Sequence, residues 1–280
     1  MNITYKWGFY VNNSLVIFDA FLNINLEYYK KIKELLKVYT LKDNAFTRVG
    51  GSQTDGHYIM VDAFKKKQIA YSFGLNNEIS WDLGMLEKGY ELYMYDHTVN
   101  DIPSEADGLN FFKKGIAGVS KPEESLETLD NLMKINGHSN KTGMILKMDV
   151  EGAEWDFLET VQLKTLRQFD QIVFELHNIV RGCSDYEMER KLKALEKLNE
   201  THALVHLHGN NTGYVLQMKN ATIPDVIEVT YVNREKFKIA DPKPVNLPTA
   251  LDLPNDHHRE DIMIGNWNEP LKDNPFDIEF

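Results

Sequence analysis

The feature that most constrains this fold is a strand that runs into two carboxylates, a glycine and a helix. The apolar run Met144–Leu146 predicts a strand, and Asp149 and Glu151 follow it directly, with Gly152 as the turn. The next helix has apolar residues along one face, at Trp155, Leu158 and Val161. In an open α/β sheet, ligands bind at the carboxyl ends of the strands. The sequence therefore predicts that Asp149 lies in an active site.

Strand-like and helical segments alternate from residue 68 onward. Strands are predicted over 68–73, 90–95, 110–116, 144–148, 171–176, 203–207, 213–218 and 226–232. Helices are predicted over 22–40, 80–88, 125–135, 154–161 and 185–199. This alternation favours an α/β fold with a mostly parallel sheet. The short connection between the last two strands permits an antiparallel hairpin and is too short for a helical crossover, which predicts one antiparallel strand near the sheet edge.

The alternation also suggests how the chain is divided. Residues 1–66 are interpreted as an N-terminal elaboration of helix and loop, and they include a glycine-rich loop, Arg48–Gly56. Residues 67–237 form the predicted main domain. Residues 238–280, rich in Pro and Asp and without periodicity, are interpreted as an extended C-terminal arm.

The charge and composition exclude several classes of function. The 280 residues carry 31 Lys and Arg against 42 Asp and Glu, a formal net charge of −11, which argues against binding to nucleic acid or to an anionic membrane. The single cysteine, Cys183, rules out an internal disulfide, and its Gly-Cys-Ser-Asp setting indicates a loop rather than a nucleophile. No long apolar run or signal-peptide pattern is found, so we expect a cytoplasmic protein.

A glycine turn and an acid suggest an adenosine-containing ligand. The first strand of the main domain ends at Gly74, and the second ends at Asp96, 22 residues later. An acid about 20 residues beyond the glycine turn is placed to accept hydrogen bonds from ribose hydroxyls. The turn is neither GxGxxG nor a phosphate-binding loop. A turn glycine and a solvated strand-end Asp remain the structural alternatives.

Further polar side chains end the fifth and sixth predicted strands. His177 follows the fifth strand, and His208 and Asn210 follow the sixth, so all three are expected at the same edge as Asp149. Either histidine is a candidate general base, and Asp149 can act as a base itself. Alternatively, Asp149, His177 and Asn210 form a candidate site for Mg²⁺ or Mn²⁺. Glu151 is a candidate site residue, or a cap that interacts with the dipole of the following helix.

Taken together, these segments resemble the FkbM family of S-adenosylmethionine-dependent O-methyltransferases. The resemblance covers roughly residues 68–232 and depends on the Gly74 turn, Asp96, the Ser125–Leu129 segment and Lys147–Glu154. It implies the Rossmann-like, seven-stranded class I methyltransferase fold, with S-adenosylmethionine as the cofactor. Gly74 and its neighbours would then face the methionine part of the cofactor, and Asp96 would hold its ribose.

This chain departs from the family at the turn, where Phe73-Gly74-Leu75 lacks the usual Gly-x-Gly. Our hypothesis is that the glycine-rich loop compensates, with Arg48 or main-chain N–H groups meeting the methionine carboxylate. The residues assigned to cofactor binding are Arg48, Gly50, Gly51, Asp55, Gly74, Asp96 and Glu151.

The resemblance also suggests the acceptor, a hydroxyl of a sugar or nucleotide-linked sugar used for a bacterial surface or capsular polysaccharide. A small phosphorylated or phosphoramidate acceptor is an alternative.

A nicotinamide-dependent oxidoreductase would be expected to show GxGxxG, and a non-catalytic binding protein on the same scaffold would be expected to lose the strand-end polar residues. The aromatic segment Tyr5–Tyr10 suggests a partner surface, such as that of a homodimer, or a cover for the protein's own sheet.

Overall fold

The computed structural model describes residues 3–11, 14–22, 26–51, 56–76, 78–103, 106–181, 184–218 and 220–272. Two residues discussed above, Asp55 and Cys183, lie outside the described residues.

A seven-stranded sheet forms the centre of the molecule. Its strands, in chain order, are β1 (Gln68–Phe73), β2 (Tyr90–Tyr95), β3 (Leu109–Phe112), β4 (Met144–Met148), β5 (Phe169–Leu176), β6 (His202–Gly209) and β7 (Ile227–Asn233). Their order across the sheet is β6-β7-β5-β4-β1-β2-β3. Only β7 runs antiparallel to its neighbours in this sheet, and it lies next to the edge strand β6. The predicted class I methyltransferase fold, with one antiparallel strand near the edge, is confirmed.

Helices cover both faces of the sheet. The helices are α1 (Leu26–Leu35), α2 (Ser80–Glu87), α3 (Leu129–Ile135), α4 (Glu154–Thr160), α5 (Leu163–Leu166) and α6 (Asp185–Asn199). One face packs against α1, α3, α4, α5 and α6 in a single large apolar cluster. The opposite face packs against α2 and an antiparallel pair of strands, Phe46–Val49 with Tyr58–Val61. Because both faces are covered, β4 and β5 are buried along their whole length.

Three predicted segments have different bounds in the structure. The helix predicted over 22–40 is the shorter α1, and the chain then forms a two-residue strand, Thr40–Leu41, that pairs with Ile239–Ala240. The strand predicted over 110–116 is split into β3 and Gly115–Ile116. The helix predicted over 125–135 begins only at Leu129, because Ser125 adopts a left-handed backbone (φ +59°) and the next two residues pair with Gly115–Ile116.

The predicted hairpin between the last two strands is wrong in its pairing. The segment expected to be its loop is itself a strand, Ala221–Pro224, which pairs with Val215–Met218. This separate hairpin leaves β7 free to enter the main sheet between β5 and β6. The apolar residues Ala221 and Ile223 are buried in the new strand, so the segment contributes to the core rather than to a polar turn.

The flanking regions contain further short strands. Ile3–Val11 pairs with Ser14–Leu22 as an antiparallel hairpin, and in the C-terminal arm Asn246–Leu247 pairs with Gly265–Asn266. Among the described residues, no helix combines the length and apolarity needed to cross a bilayer. The domain boundaries at 66/67 and 237/238 stay predictions.

Candidate active site

The strand order reverses between β1 and β4, and the carboxyl edge of the sheet at this point is where a ligand crevice is expected. The chain leaves β1 toward β2 and β3 on one side, and returns to β4 on the other side. Such a change in direction is where open α/β sheets bind ligands. Gly74 and Asp149 flank the crevice, and a Cβ atom on Gly74 would lie 1.5 Å from the carbonyl oxygen of Asp149. Gly74, at φ +78°, is therefore required for the two strand ends to approach this closely.

Asp96 connects the end of β2 to the glycine turn. Its Oδ2 accepts hydrogen bonds from the N–H groups of Leu75 (2.8 Å) and Asn76 (3.3 Å). Its Oδ1 accepts from the N–H (2.7 Å) and the hydroxyl (2.6 Å) of Thr98. Burial alone would raise the pKa of Asp96, but these hydrogen bonds lower it below its usual range. Asp96 is thus a buried carboxylate that shapes the turn next to the crevice.

Lys147 contacts the same turn and interacts with Asp82, and neither residue was singled out from the sequence. The Lys147 ammonium is nearly buried and donates to the carbonyl oxygen of Gly74 over 2.7 Å. Asp82, on α2, is fully buried. Burial raises the pKa of Asp82 to about 6, although the nearby charge of Lys147 acts in the opposite direction. A strand lysine and a helix aspartate thus place opposite charges under the crevice.

His177 lies just beyond the end of β5, in contact with the start of α4. Glu154, fully buried, has its Oε1 2.7 Å from the main-chain nitrogen of His177 and 3.1 Å from the ring atom Nδ1. The other Glu154 oxygen accepts from the N–H of Gly152 over 2.8 Å. The carbonyl oxygen of His177 accepts from the indole of Trp155 over 2.8 Å. The main chain of His177 is therefore fixed on both sides.

The second ring nitrogen of His177 faces three carboxylates. Its Nε2 lies 3.4 Å from Glu151 Oε2, 3.8 Å from Glu175 Oε2 and 4.0 Å from Asp149 Oδ1. Burial alone would lower the pKa of His177, but Glu154 and the other acids raise it above its ordinary value. Asp149, Glu151 and His177 each offer one donor atom, and these three atoms lie within 4.8 Å of one another.

The backbone is left-handed at Glu151. Its φ is +56°, and a non-glycine residue in this region is uncommon and often found at functional sites. The Glu151 side chain is 87% exposed even though its tip lies near the His177 ring. The turn thus presents this carboxylate to the crevice from the solvent side.

His208 lies in a closed network, in which each of its two ring nitrogens faces a carboxylate. Its Nδ1 lies 2.9 Å from Glu228 Oε2, and its Nε2 lies 3.1 Å from Oδ1 of Asp261 in the C-terminal arm. Burial would lower the pKa of His208, but the hydrogen bonds to Asp261 and Glu228 raise it to about 10. Nearby, Asp252 lies 3.2 Å from His206 Nε2. Burial would raise the pKa of Asp252, but the two histidines lower it to about 2.

Asn210 is joined to the His177 centre through Glu175. Its amide nitrogen donates to Glu175 Oε1. Its oxygen accepts from the N–H (2.9 Å) and the hydroxyl (2.7 Å) of Thr212. The one metal-ligating atom of Asn210 is therefore already engaged with Thr212.

The described ends of the glycine-rich loop, at Gly51 and Gly56, contact the start of α2 at Ser80. Arg48 Nε donates to the carbonyl oxygen of Leu251 in the C-terminal arm over 3.0 Å. The N–H of Gly51 donates to the Ser80 hydroxyl over 2.7 Å. A Cβ atom on Gly50, at φ +106°, would lie 2.1 Å from the carbonyl oxygen of Gly56. These residues lie together, and Arg48 connects them to the arm.

Comparison with known proteins identifies the family. The sequence matches the methyltransferase FkbM domain family over residues 43–216, more than half of the 280 residues. The chain belongs to this family. The resemblance drawn from the Lys147–Glu154 element is thereby confirmed at the level of the family.

Individual relatives of this FkbM-family chain are distant. It is 27% identical over 135 residues to the probable methyltransferase-like protein 24 of Homo sapiens, which covers 44% of this chain and 36% of that protein. The chain thus matches little more than a third of that relative's length. A crystal structure from Pyrococcus horikoshii, described as a candidate RNA methyltransferase, covers 60% of this chain and 75% of its own, with 10% identity and a TM-score of 0.27.

Within the FkbM domain, the structure brings some of the predicted residues together and separates others. Asp149, Glu151 and His177 converge on one centre, and Gly74 is in contact with it through Asp149. His208 belongs to the network with the C-terminal arm instead. Glu154 was missed although it lies in the same motif as Asp149. Its only sequence signal was an acid in the first turn of a helix, which ordinarily indicates a favourable interaction with the helix dipole.

Proposed function

We propose that this FkbM-family chain is an S-adenosylmethionine-dependent O-methyltransferase that acts on a hydroxyl of a sugar or nucleotide-linked sugar. The observation that carries the proposal is the position of His177 Nε2. This nitrogen lies at the carboxyl edge of the sheet, 4.0 Å from Asp149 at the crevice. An imidazole at such a position is the kind of group that removes a proton from a hydroxyl near neutral pH.

The position of the crevice and the charges beside it support this cofactor. It lies where the strand order reverses, and the carboxylates of Asp96 and Asp149 suit a cofactor that carries a sulfonium cation. When bound, S-adenosylmethionine supplies an electrophilic methyl group. In the proposal, Asp96 and Gly74 lie on the ribose side, and the loop with Arg48, Gly50 and Gly51 lies at the methionine end.

The residues around His177 have separate roles in the proposed transfer. His177 Nε2 accepts the hydroxyl proton while the oxygen is aligned with the methyl group. Asp149 and Glu151 stabilise the positive charge that then develops on the imidazole ring, because both lie within 4.0 Å of Nε2. Fixed alignment of the two reactants accounts for a further part of the rate.

The charges near His177 support a neutral acceptor group. Asp149, Glu151 and Glu175 surround Nε2, and three carboxylates repel a phosphate or phosphoramidate placed among them. A sugar hydroxyl carries no such penalty. We therefore favour sugars and nucleotide-linked sugars, whose charged diphosphate would lie away from this centre, over small phosphorylated acceptors.

We also propose that the same centre can hold a divalent cation. Asp149, Glu151 and His177 supply two carboxylates and one imidazole at mutual donor distances within 4.8 Å, a set suited to Mg²⁺ or Mn²⁺. Glu151 takes the place expected for Asn210, whose oxygen binds Thr212. Such an ion would polarise the acceptor oxygen. If activity survives EDTA, Nε2 acts as the proton acceptor. If activity requires the ion, Nε2 acts as a metal ligand.

Calorimetric titration with S-adenosylhomocysteine tests the cofactor first. We expect binding to the wild-type chain and weaker binding to the Asp96→Ala variant, with Mg²⁺ or EDTA present in parallel samples. Failure to bind under all of these conditions would contradict the proposal. A panel of sugars, nucleotide sugars and phosphorylated sugars, analysed by mass spectrometry for an added methyl group, then identifies the acceptor. The His177→Gln variant, which lacks the proposed base, serves as the control for methyl transfer.

A further inference from the structure

We infer that Glu154 is the positioning residue that keeps the proton of the neutral His177 ring on Nδ1, and so keeps the lone pair of Nε2 directed at the crevice. This inference deepens the proposed function and rests on it, because Nε2 needs a lone pair either to accept a proton or to bind a cation.

The hydrogen bonds of Glu154 determine which ring nitrogen carries the proton. Its two oxygens receive main-chain N–H groups from His177 and Gly152, at 2.7 and 2.8 Å. Both oxygens of Glu154 therefore act as hydrogen-bond acceptors toward these main-chain donors. His177 Nδ1, 3.1 Å from the same carboxylate, must therefore be the donor. A neutral imidazole has only one N–H, so Nε2 is left as the acceptor.

The surroundings of Nε2 make this control necessary. Asp149, Glu151 and Glu175 lie 3.4 to 4.0 Å from Nε2, and carboxylates favour a proton on the nitrogen that faces them. Without a competing acceptor at Nδ1, the neutral ring would donate from Nε2 toward these acids. The lone pair of Nε2 would then no longer be available to the acceptor substrate. Glu154 opposes this because it is closer to Nδ1 than any of the three acids is to Nε2.

The ring contact is separate from the purely structural contacts of Glu154. The main chain of His177 is already held by Glu154 at its N–H and by Trp155 at its carbonyl oxygen. Those bonds fix the backbone and leave the ring protonation open. A structural role and a positioning role therefore predict different results when the charge of residue 154 is removed but its shape is retained.

The test is the imidazole ¹⁵N NMR spectrum of the full chain, recorded at a pH where the His177 ring is neutral. The signal is assigned by its loss in His177→Gln, since the chain has nine histidines. In wild type we expect the Nδ1–H tautomer. In Glu154→Gln, the oxygen that faces the His177 N–H and Nδ1 belongs to a neutral amide, a weaker acceptor than a carboxylate, so we expect the acids around Nε2 to shift the ring toward the Nε2–H tautomer. Asp156→Asn, an exposed acid on the same helix α4, is the matched control and should leave the tautomer unchanged.

The kinetic readout follows from the same change. Loss of an orienting partner typically costs about 10- to 100-fold in activity, so we expect kcat of Glu154→Gln to fall by about that factor. KM for the acceptor and the affinity for S-adenosylhomocysteine should stay within about twofold, as expected for a group that acts only through His177.

The outcomes separate this inference from the proposed function. An Nε2–H tautomer in the wild-type chain would overturn the inference, and this outcome does not depend on whether Glu154→Gln folds. An unchanged tautomer in a folded Glu154→Gln would overturn it as well. If the tautomer switches as expected but no acceptor is ever methylated, Glu154 keeps its role at His177 and the O-methyltransferase proposal fails.

Discussion

His177 follows β5, and His208 lies near the end of β6. Both histidines are therefore at the carboxyl edge of the sheet, yet their environments are opposite. His177 has one ring nitrogen held by Glu154, and its other nitrogen lies 3.4 to 4.0 Å from carboxylates, farther than either hydrogen-bonding partner of His208. His208 has both nitrogens engaged, with Glu228 on one side and Asp261 on the other. In the proposed reaction, nearby carboxylates alone do not make a histidine the base, because one ring nitrogen must also be available to the substrate.

The largest expected effect is on catalysis at His177. Replacing His177 with Gln removes the proposed base, so we expect the methyl-transfer rate to fall by about 100- to 10,000-fold. Stability should fall less than in the corresponding His208 variant, because Gln retains the main-chain bonds to Glu154 and Trp155. Initial rates and urea unfolding measure the two quantities. A variant that keeps wild-type activity would contradict the proposed role of His177 as the base.

The matching change at His208 should act on stability. Removing one partner from a buried charged network typically costs about 3–5 kcal/mol, so we expect the free energy of unfolding of His208→Gln to fall by about that amount. Urea denaturation gives the value. The variant, where folded, should retain most of its specific activity. A large loss of kcat at unchanged stability would instead move His208 into the reaction.

A divalent cation should distinguish the two regions by affinity. If Asp149, Glu151 and His177 bind Mn²⁺, Glu151→Gln should weaken binding by about 10-fold or more, because it removes one anionic ligand of a hard cation. Asp261→Asn, at the closed His208 network, should leave the affinity unchanged. Electron paramagnetic resonance of free Mn²⁺ measures both. Equal weakening by the two variants would show that the ion does not bind at the His177 centre.

The smallest effect is a slope of stability with pH. The pKa of His208 is raised to about 10 in the folded chain, against about 6.5 in an unfolded chain. The folded state therefore binds an extra proton between these values, and the His208 contribution is complete below pH 6.5 and is lost as pH rises toward 10. One proton corresponds to at most about 1.4 kcal/mol per pH unit. The slope above pH 7 should be shallower in His208→Gln; an unchanged slope would assign it to other groups.

Local periodicity was sufficient to predict most of the fold. Each strand of the main sheet gives a short apolar run, and the intervening helices place apolar residues three or four apart. Pairing was harder, because Ala221–Pro224 is as consistent with a polar turn as with a strand when its partner is unknown. The interruption of the predicted helix at Ser125 could not be predicted either, because a left-handed backbone at a residue other than glycine has no clear sequence signal.

The candidate site was only partly predictable. Asp149, Glu151 and His177 could be found because strand ends gather at one edge. The difference between His177 and His208 could not be predicted, because Asp261 is 53 residues from His208 and lies in an arm without periodicity. The buried position of Glu154 was equally hidden, since acids are common and exposed in the first turn of helices.

The left-handed backbone of Glu151 has a consequence for how this family member could be stabilised. A non-glycine residue in that conformation costs roughly 1–2 kcal/mol, so Glu151→Gly should raise the melting temperature while it removes a carboxylate from the crevice. Proteins commonly trade stability for activity at such positions. A search for heat-resistant variants would therefore be expected to find Glu151→Gly early, and to lose the chemistry of the site with it.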